Sequence, residues 1–245
     1  MSKKKRRKRI HIPEYNQKKQ LKNTLTPKTI GQTEYIRAIA ENKIIFCTGP
    51  AGSGKSYCAA GIACQKLFDG EIDTIVITRP VVGIGSKSMG FLPGTMEEKM
   101  DFYVAPIIAH LKHFLGEELY NKYKQEKKIL ISPLEFMRGK TFDNAFVLLD
   151  EAQNTTYGEL KMFISRYGRD SKMVLNGDTK QSDLKHTRYD DEIDKINGFA
   201  LMMDWMKQKE EFGVCELHFE DIVREKAVAT FLKTVERMEK EIGLS

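Results

Sequence analysis

The run Gly49-Pro50-Ala51-Gly52-Ser53-Gly54-Lys55-Ser56 constrains this chain more than any other stretch, because it fits the spacing G-x-x-x-x-G-K-[ST] in full. It lies between Lys43–Thr48 (KIIFCT), a buried-strand pattern, and Tyr57–Phe68, an alanine-rich helical stretch. In that setting the glycines let successive backbone N–H groups turn inward around phosphates, at a helix N-terminus whose dipole favours anions. Lys55 is placed to reach the β- and γ-phosphates of a nucleotide. The Ser56 hydroxyl is placed to bind Mg²⁺, a hard cation that takes oxygen ligands.

About a hundred residues later, Phe146-Val147-Leu148-Leu149-Asp150-Glu151 is an apolar strand that ends in two carboxylates. Asp150 is expected to hold Mg²⁺ through its water shell, and Glu151 to orient and deprotonate a water for attack on the γ-phosphate. That favours hydrolysis of ATP over transfer to a metabolite, with a P-loop small-molecule kinase as one alternative and a nucleotide-dependent switch or assembly protein as another. A third strand exit, Val174 to Gln181, puts Asp178 and Gln181 on a turn. The Gln181 amide both donates and accepts, so it could bridge phosphate and water and act as a γ-phosphate sensor.

Elsewhere, helical spacing marks Gln32–Asn42, Met96–Leu115 and Arg224–Ile242, the last with Val228, Phe231, Leu232 and Val235 expected inward. Ile72–Thr78, Lys128–Ser132, Ala145–Leu149, Lys172–Leu175 and Val214–Phe219 read as strands, and Arg79–Gly94 as irregular. Strands alternating with helices mean an α/β fold around a mainly parallel sheet, in one domain.

The net charge of +6 is unevenly held: residues 1–28 carry eight Lys and three Arg against Glu14, leaving the remainder acidic. The block Lys3 to Arg9 repels itself, so residues 1–24 are expected to form a disordered arm suited to RNA or DNA phosphates, or else a plain solubilising tail. No apolar run is long enough to span a membrane. The four cysteines, Cys47, Cys58, Cys64 and Cys215, have neither metal-site nor disulfide-scaffold spacing, and a cytoplasmic location with buried free thiols is expected. His110 and His113 read as a solvated helix face, and Leu201, Met202, Met203, Trp205 and Met206 as core or subunit contact.

Taken in order, Gln32-Thr33-Glu34-Tyr35, GPAGSGKS, Thr78-Arg79-Pro80, Phe91-Leu92-Pro93-Gly94, Met137-Arg138-Gly139-Lys140-Thr141, DEAQNTT at 150–156, SKMVLNGD at 171–178 and Asp221-Ile222-Val223-Arg224 resemble the PhoH-like ATPase family. The resemblance covers about residues 25 to 235. It implies a P-loop NTPase fold of RecA-like type, with helices on both faces of the sheet, over residues 25–245. It also implies an ATP hydrolase related to superfamily-1 helicases, using ATP and Mg²⁺. By position it implies that Gln32 reads adenine, with Tyr35 packing nearby, and that Gly49, Pro50, Ala51, Gly52, Ser53, Gly54, Lys55 and Ser56 bind phosphate and metal. Arg224 resembles the arginine that touches the γ-phosphate from the same domain. With one RecA-like unit per chain, the resemblance implies a homo-oligomeric ring, a hexamer, binding RNA or single-stranded DNA through the arm and the ring interior. An arginine would then act in trans, with Arg79, Arg138 and Arg166 as candidates. Lys140 stands where the family usually has arginine, and the arm has no counterpart in the family pattern.

Overall fold

In the computed structural model, the described residues are 21–80, 96–181 and 198–242. Residues 1–20 of the expected arm and 81–94 of the Gly/Pro-rich segment, including Phe91-Leu92-Pro93-Gly94, lie outside them.

Helix α1 (Ile30–Glu41) leads into strand β1 (Ile44–Thr48), the glycine loop and helix α2 (Lys55–Asp69). Strand β2 (Thr74–Thr78) follows, then helices α3 (Met96–Tyr103), α4 (Ala105–Leu115) and α5 (Glu117–Gln125). The chain continues through β3 (Ile129–Ile131), β4 (Ala145–Leu149), α6 (Tyr157–Ile164) and β5 (Lys172–Gly177). Helix α7 (Gly198–Met206), β6 (Phe212–Glu216) and α8 (Lys226–Glu241) close it. The expected helix Met96–Leu115 is two helices, broken at Val104, because Pro106 sits in the first turn of α4 and cannot donate to an earlier carbonyl. Strand β6 ends earlier than the Val214–Phe219 pattern: the Asp221 carboxylate captures the His218 N–H at 2.8 Å and turns Phe219–Asp221 into a 3₁₀ helix.

Among the described residues six strands form one sheet, paired in parallel in the order β3-β2-β4-β5-β1-β6. Parallel strands need crossovers, and helices therefore cover both faces. Because side chains alternate across a strand, Ile45 and Cys47 enter one core with Tyr35, Cys58 and Phe114, while Ile44 and Phe46 enter the other with Phe163 and Phe199. The Phe46 and Phe199 rings lie 5.8 Å apart, a contact worth about 0.5–1.5 kcal/mol beyond burial. Cys58 and Cys64 are buried, as expected of first-helix core positions.

Two expectations need correcting. On α8, Val228 and Phe231 are exposed (42% and 66%), not inward. The stripe is amphipathic but only half sheltered, Leu232 and Val235 being part-buried. Residues 21–23, read as part of the arm, are anchored: the Lys22 N–H donates to the Phe114 carbonyl at 2.9 Å and the Asn23 amide to His113 O at 2.7 Å. The end of α4 has carbonyls with no intrahelical donor, and this segment supplies donors to them. The apolar run on α7 is divided, with Met203 buried and Trp205 exposed.

Candidate nucleotide site

A parallel sheet delivers every strand exit to one edge, so the ends of β1, β2, β4 and β5 meet although their sequences are far apart. Hydrogen bonds tie these exits together. The Asp150 N–H donates to Thr78 O at 3.0 Å, the Leu217 N–H to Thr48 O at 2.8 Å, and the Thr179 N–H to the Thr48 hydroxyl at 3.1 Å.

The glycine loop curves in a way that only its own residue types permit. Gly54, which precedes α2, has φ +92°, and a Cβ there would lie 2.6 Å from the Gln32 amide nitrogen. Gly49 has φ +152°, and a Cβ there would meet the Leu217 carbonyl at 2.6 Å. No side chain caps the N-terminus of α2, and its first turn holds no acidic residue, so its leading N–H groups are left without an opposing charge, an arrangement that suits an anion. The Lys55 ammonium donates across the loop to Gly49 O (2.5 Å) and Pro50 O (3.1 Å).

Ser56 and Asp150 converge from opposite sides of β5: the Ser56 hydroxyl donates to Asp150 Oδ1 at 2.7 Å. Asp150 is 8% exposed. Burial raises its pKa above the ordinary carboxylate value, the Ser56 hydrogen bond opposes that, Glu151 adds to it, and Arg79 and Lys55 oppose it. An adjacent hydroxyl and carboxylate at a glycine cradle is an all-oxygen donor set, which fits Mg²⁺ with a nucleotide phosphate. Two buried polar atoms without partners, Thr78 Oγ1 and Asn176 Nδ2, lie on the strands that end at this edge.

Glu151 follows with φ +56°, an uncommon backbone conformation for a residue with a side chain. One of its oxygens accepts from the Gln153 amide at 2.6 Å, and the other lies 3.4 Å from Arg79 Nη2. The Gln153 carbonyl oxygen in turn accepts the Asp178 N–H at 3.1 Å, joining the β4 exit to the β5 exit. Just beyond, Thr156 and Glu159 form a reciprocal cap that starts α6 and holds the loop's far end. Burial raises the Asp178 pKa, opposed by the Lys180 N–H and by Lys55. Gln181 is exposed on the same turn, its N–H donating to Asp178 O at 3.1 Å.

Gln32 is buried and held on both sides of its carboxamide. Its amide donates to Ser53 O at 3.0 Å and its carbonyl accepts from the Lys28 N–H at 2.8 Å. It braces the glycine loop and keeps one amide hydrogen and one carbonyl lone pair that these two bonds do not use. The Tyr35 hydroxyl donates to Asn176 Oδ1 at 2.5 Å beneath the loop. Arg224 lies against Gly52, where a Cβ would come within 3.0 Å of its side chain, and the Val223 N–H donates to Gly52 O at 3.0 Å.

Gln153 and Asp221 stand in the sequence only as parts of the motifs DEAQNTT and Asp221-Ile222-Val223-Arg224, with no role assigned to either. Asp221 accepts the Gly31 N–H at 3.1 Å and so ties the start of α1 to the segment carrying Arg224. A carboxamide two residues after Glu151 was the available signal for Gln153. Of the trans candidates, Arg79 binds its own chain's Glu151 and Tyr103 O, and Arg166 binds Met162 O, Lys140 O and Ser165. Arg138 is exposed beside Gly139. His110 and His113 pack on Tyr57, and among the described residues no group of three potential ligands forms a metal site.

Residues 24–236 match the family described as PhoH-like protein. The chain belongs to that family. PhoH-like protein of Bacillus subtilis is 40% identical over 211 residues, covering 86% of this chain and 63% of its own length. The Synechocystis PhoH-like protein is 39% identical over 212 residues, with 86% and 62% covered. Protein PhoH of Escherichia coli K12 is 36% identical over 195 residues, with 79% and 53% covered. This PhoH-like chain thus spans between half and two thirds of the length of these relatives. Among solved structures, the HK97 bacteriophage large terminase superposes with TM-score 0.52 at 12% identity, covering 88% of this chain and 48% of that one, a likeness of fold. The architecture is the RecA-like P-loop α/β fold. No helix among the described residues is long and apolar enough to cross a membrane.

Proposed function

We propose that this chain is a Mg²⁺-dependent ATPase that couples hydrolysis to binding of, and movement on, RNA or single-stranded DNA. The observation that carries the hydrolytic half is the Ser56–Asp150 contact of 2.7 Å at the glycine cradle, with Glu151 next in the chain. Lys55 and the loop N–H groups hold the phosphates, Ser56 and Asp150 hold the cation, and Glu151 takes the proton of the attacking water. Bound Mg²⁺ neutralises charge that develops on the transferred phosphoryl group. Gln181 senses the γ-phosphate from the β5 exit, and Arg224 approaches it from beside Gly52.

The basic block Lys3 to Arg9 supports the nucleic-acid half, since lysine and arginine neutralise phosphates without reading sequence. The working unit is residues 25–245, with the arm appended. Self-association into a ring, a hexamer on family resemblance, is supported by the exposed Val228 and Phe231 on α8 and by the presence of one P-loop per chain. Arg138 is then the candidate to reach a neighbour's nucleotide.

The test is ATP turnover with and without single-stranded RNA or DNA. Stimulation is expected, together with turnover lost in Lys55→Ala and in Glu151→Gln, the latter retaining nucleotide affinity. Turnover indifferent to single strands would leave an ATPase without nucleic-acid coupling. Glu151→Gln hydrolysing at the unmodified rate would remove the assigned base.

A further inference from the structure

The Glu151 carboxylate is held from two sides. Gln153 donates to one oxygen at 2.6 Å, and the Arg79 guanidinium lies 3.4 Å from the other. Arg79 is itself fixed, because its second terminal nitrogen donates to Tyr103 O, the last carbonyl of α3, at 3.0 Å. A guanidinium is a planar fork, so two acceptors on different nitrogens set its orientation as well as its position. The C-terminal carbonyl of a helix is a favourable anchor for a cation. Arg79 emerges from β2 beside β4, and the register Thr78↔Leu149 makes Arg79 and Asp150 the next residues along the two strands, with Glu151 one step further. The geometry therefore belongs to the sheet and would persist in every copy of the chain.

We propose that Arg79 is a positioning residue for Glu151 of its own chain, holding the carboxylate in the orientation it uses on the attacking water. This rests on the reading of Glu151 as the base. A glutamate side chain has several rotatable bonds, and general-base catalysis requires a lone pair directed at one proton. Gln153 alone fixes one oxygen and leaves rotation about that contact, whereas Arg79 on the other oxygen removes it. The pair is part-exposed, with side chains 30% and 38% accessible, so its value lies in geometry and not in stability.

Three consequences follow for kinetics. Arg79→Gln lowers kcat about tenfold or more, bounded by the loss in Glu151→Gln, because a misdirected base forfeits part of a general-base contribution of about 10²–10⁴. Its KM for ATP and its nucleotide affinity stay within about twofold, since the phosphate contacts come from the glycine loop. Arg79→Lys retains the charge without the fork and falls between the two.

The experiment measures single-turnover hydrolysis and nucleotide affinity for wild type, Arg79→Lys, Arg79→Gln, Glu151→Gln and the double variant Arg79→Gln/Glu151→Gln. A residue that acts through Glu151 gives no further loss once Glu151 is gone. The same fold-loss in both backgrounds overturns the proposal, as does unchanged kcat in Arg79→Gln. Should Arg79→Gln lose nucleotide affinity or unfold, Arg79→Lys carries the comparison, and full activity there overturns the requirement for the fork. Mixing Arg79→Gln with Lys55→Ala copies separates the trans alternative: restored activity at hybrid interfaces overturns a role within one chain, and its absence supports it. Wild-type turnover in Glu151→Gln would break the underlying reading instead, whatever Arg79 does.

Discussion

Asp150→Asn is expected to stabilise the protein without Mg²⁺ and nucleotide while destroying the site. Asp150 is 8% exposed and its pKa is raised, with burial the largest cause and Glu151 adding repulsion, against the Ser56 hydrogen bond and the Arg79 and Lys55 charges. The upward direction is the net of all these, so the ionised form is what the fold disfavours. An isosteric amide keeps an oxygen for the Ser56 hydroxyl at 2.7 Å, losing about 1 kcal/mol as a charge-assisted bond becomes neutral. It removes a buried-ion penalty of up to several kcal/mol, so the net gain is about 1–2 kcal/mol, or roughly 2–8 °C in Tm for a chain of this size.

The sign with pH follows from proton binding. A raised native pKa means that the folded state holds the proton longer, so wild type loses stability as pH rises from the ordinary carboxylate value through the raised one. The difference between variant and wild type should therefore grow as pH rises from the ordinary carboxylate value through the raised one, and vanish once both states are protonated. With Mg²⁺ and nucleotide at a hundred times Kd, wild type gains about 2.7 kcal/mol and the order inverts. Thermal unfolding across pH, with and without ligand, reads all of this. A variant less stable than wild type at neutral pH without ligand would refute the reasoning.

Gly54→Ala should lose about 2–3 kcal/mol, from φ +92° and the displaced Gln32 amide, and weaken nucleotide binding; unchanged chemical denaturation would show that the loop tolerates a side chain. Lys172 donates to Ile39 O, to Ala40 O at 2.7 Å and to Asn42 O at 2.6 Å, closing the end of α1, so Lys172→Met should cost about 1–2 kcal/mol in the same assay. Deleting residues 1–9 should reduce the slope of log affinity against log salt for single strands by at most about 5, the share of the seven charges of Lys3 to Arg9; an unchanged slope would remove the arm from the interface. All four cysteines are free and buried; burial pushes Cys58 up to about 12 whereas the Cys47 hydrogen bond lowers Cys215, so thiol reagents should leave Cys58 unmodified until the protein is unfolded, and any reaction of the folded protein should fall on Cys215 first.

What the sequence determined by itself is what local chemistry decides. The glycine spacing of residues 49–56 could only serve a turn with positive φ leading into a helix, and the runs at 44–48 and 145–149 are apolar on both faces because both faces of a parallel sheet are covered. Asp150 and Glu151 were legible because a strand that ends in two carboxylates delivers them to the sheet edge wherever the strand lies. Breaks were harder to see: Pro106 divided one periodic stretch into α3 and α4 without disturbing its pattern. Only the tertiary structure decided who meets whom. It turned Gln32 toward Ser53, brought Arg79 to Glu151 and Gln153 to Asp178, and left Phe231 uncovered. The reason is that periodicity records which side of an element is apolar, whereas a partner is set by strand order, and order is a property of the whole sheet that no stretch of sequence carries alone.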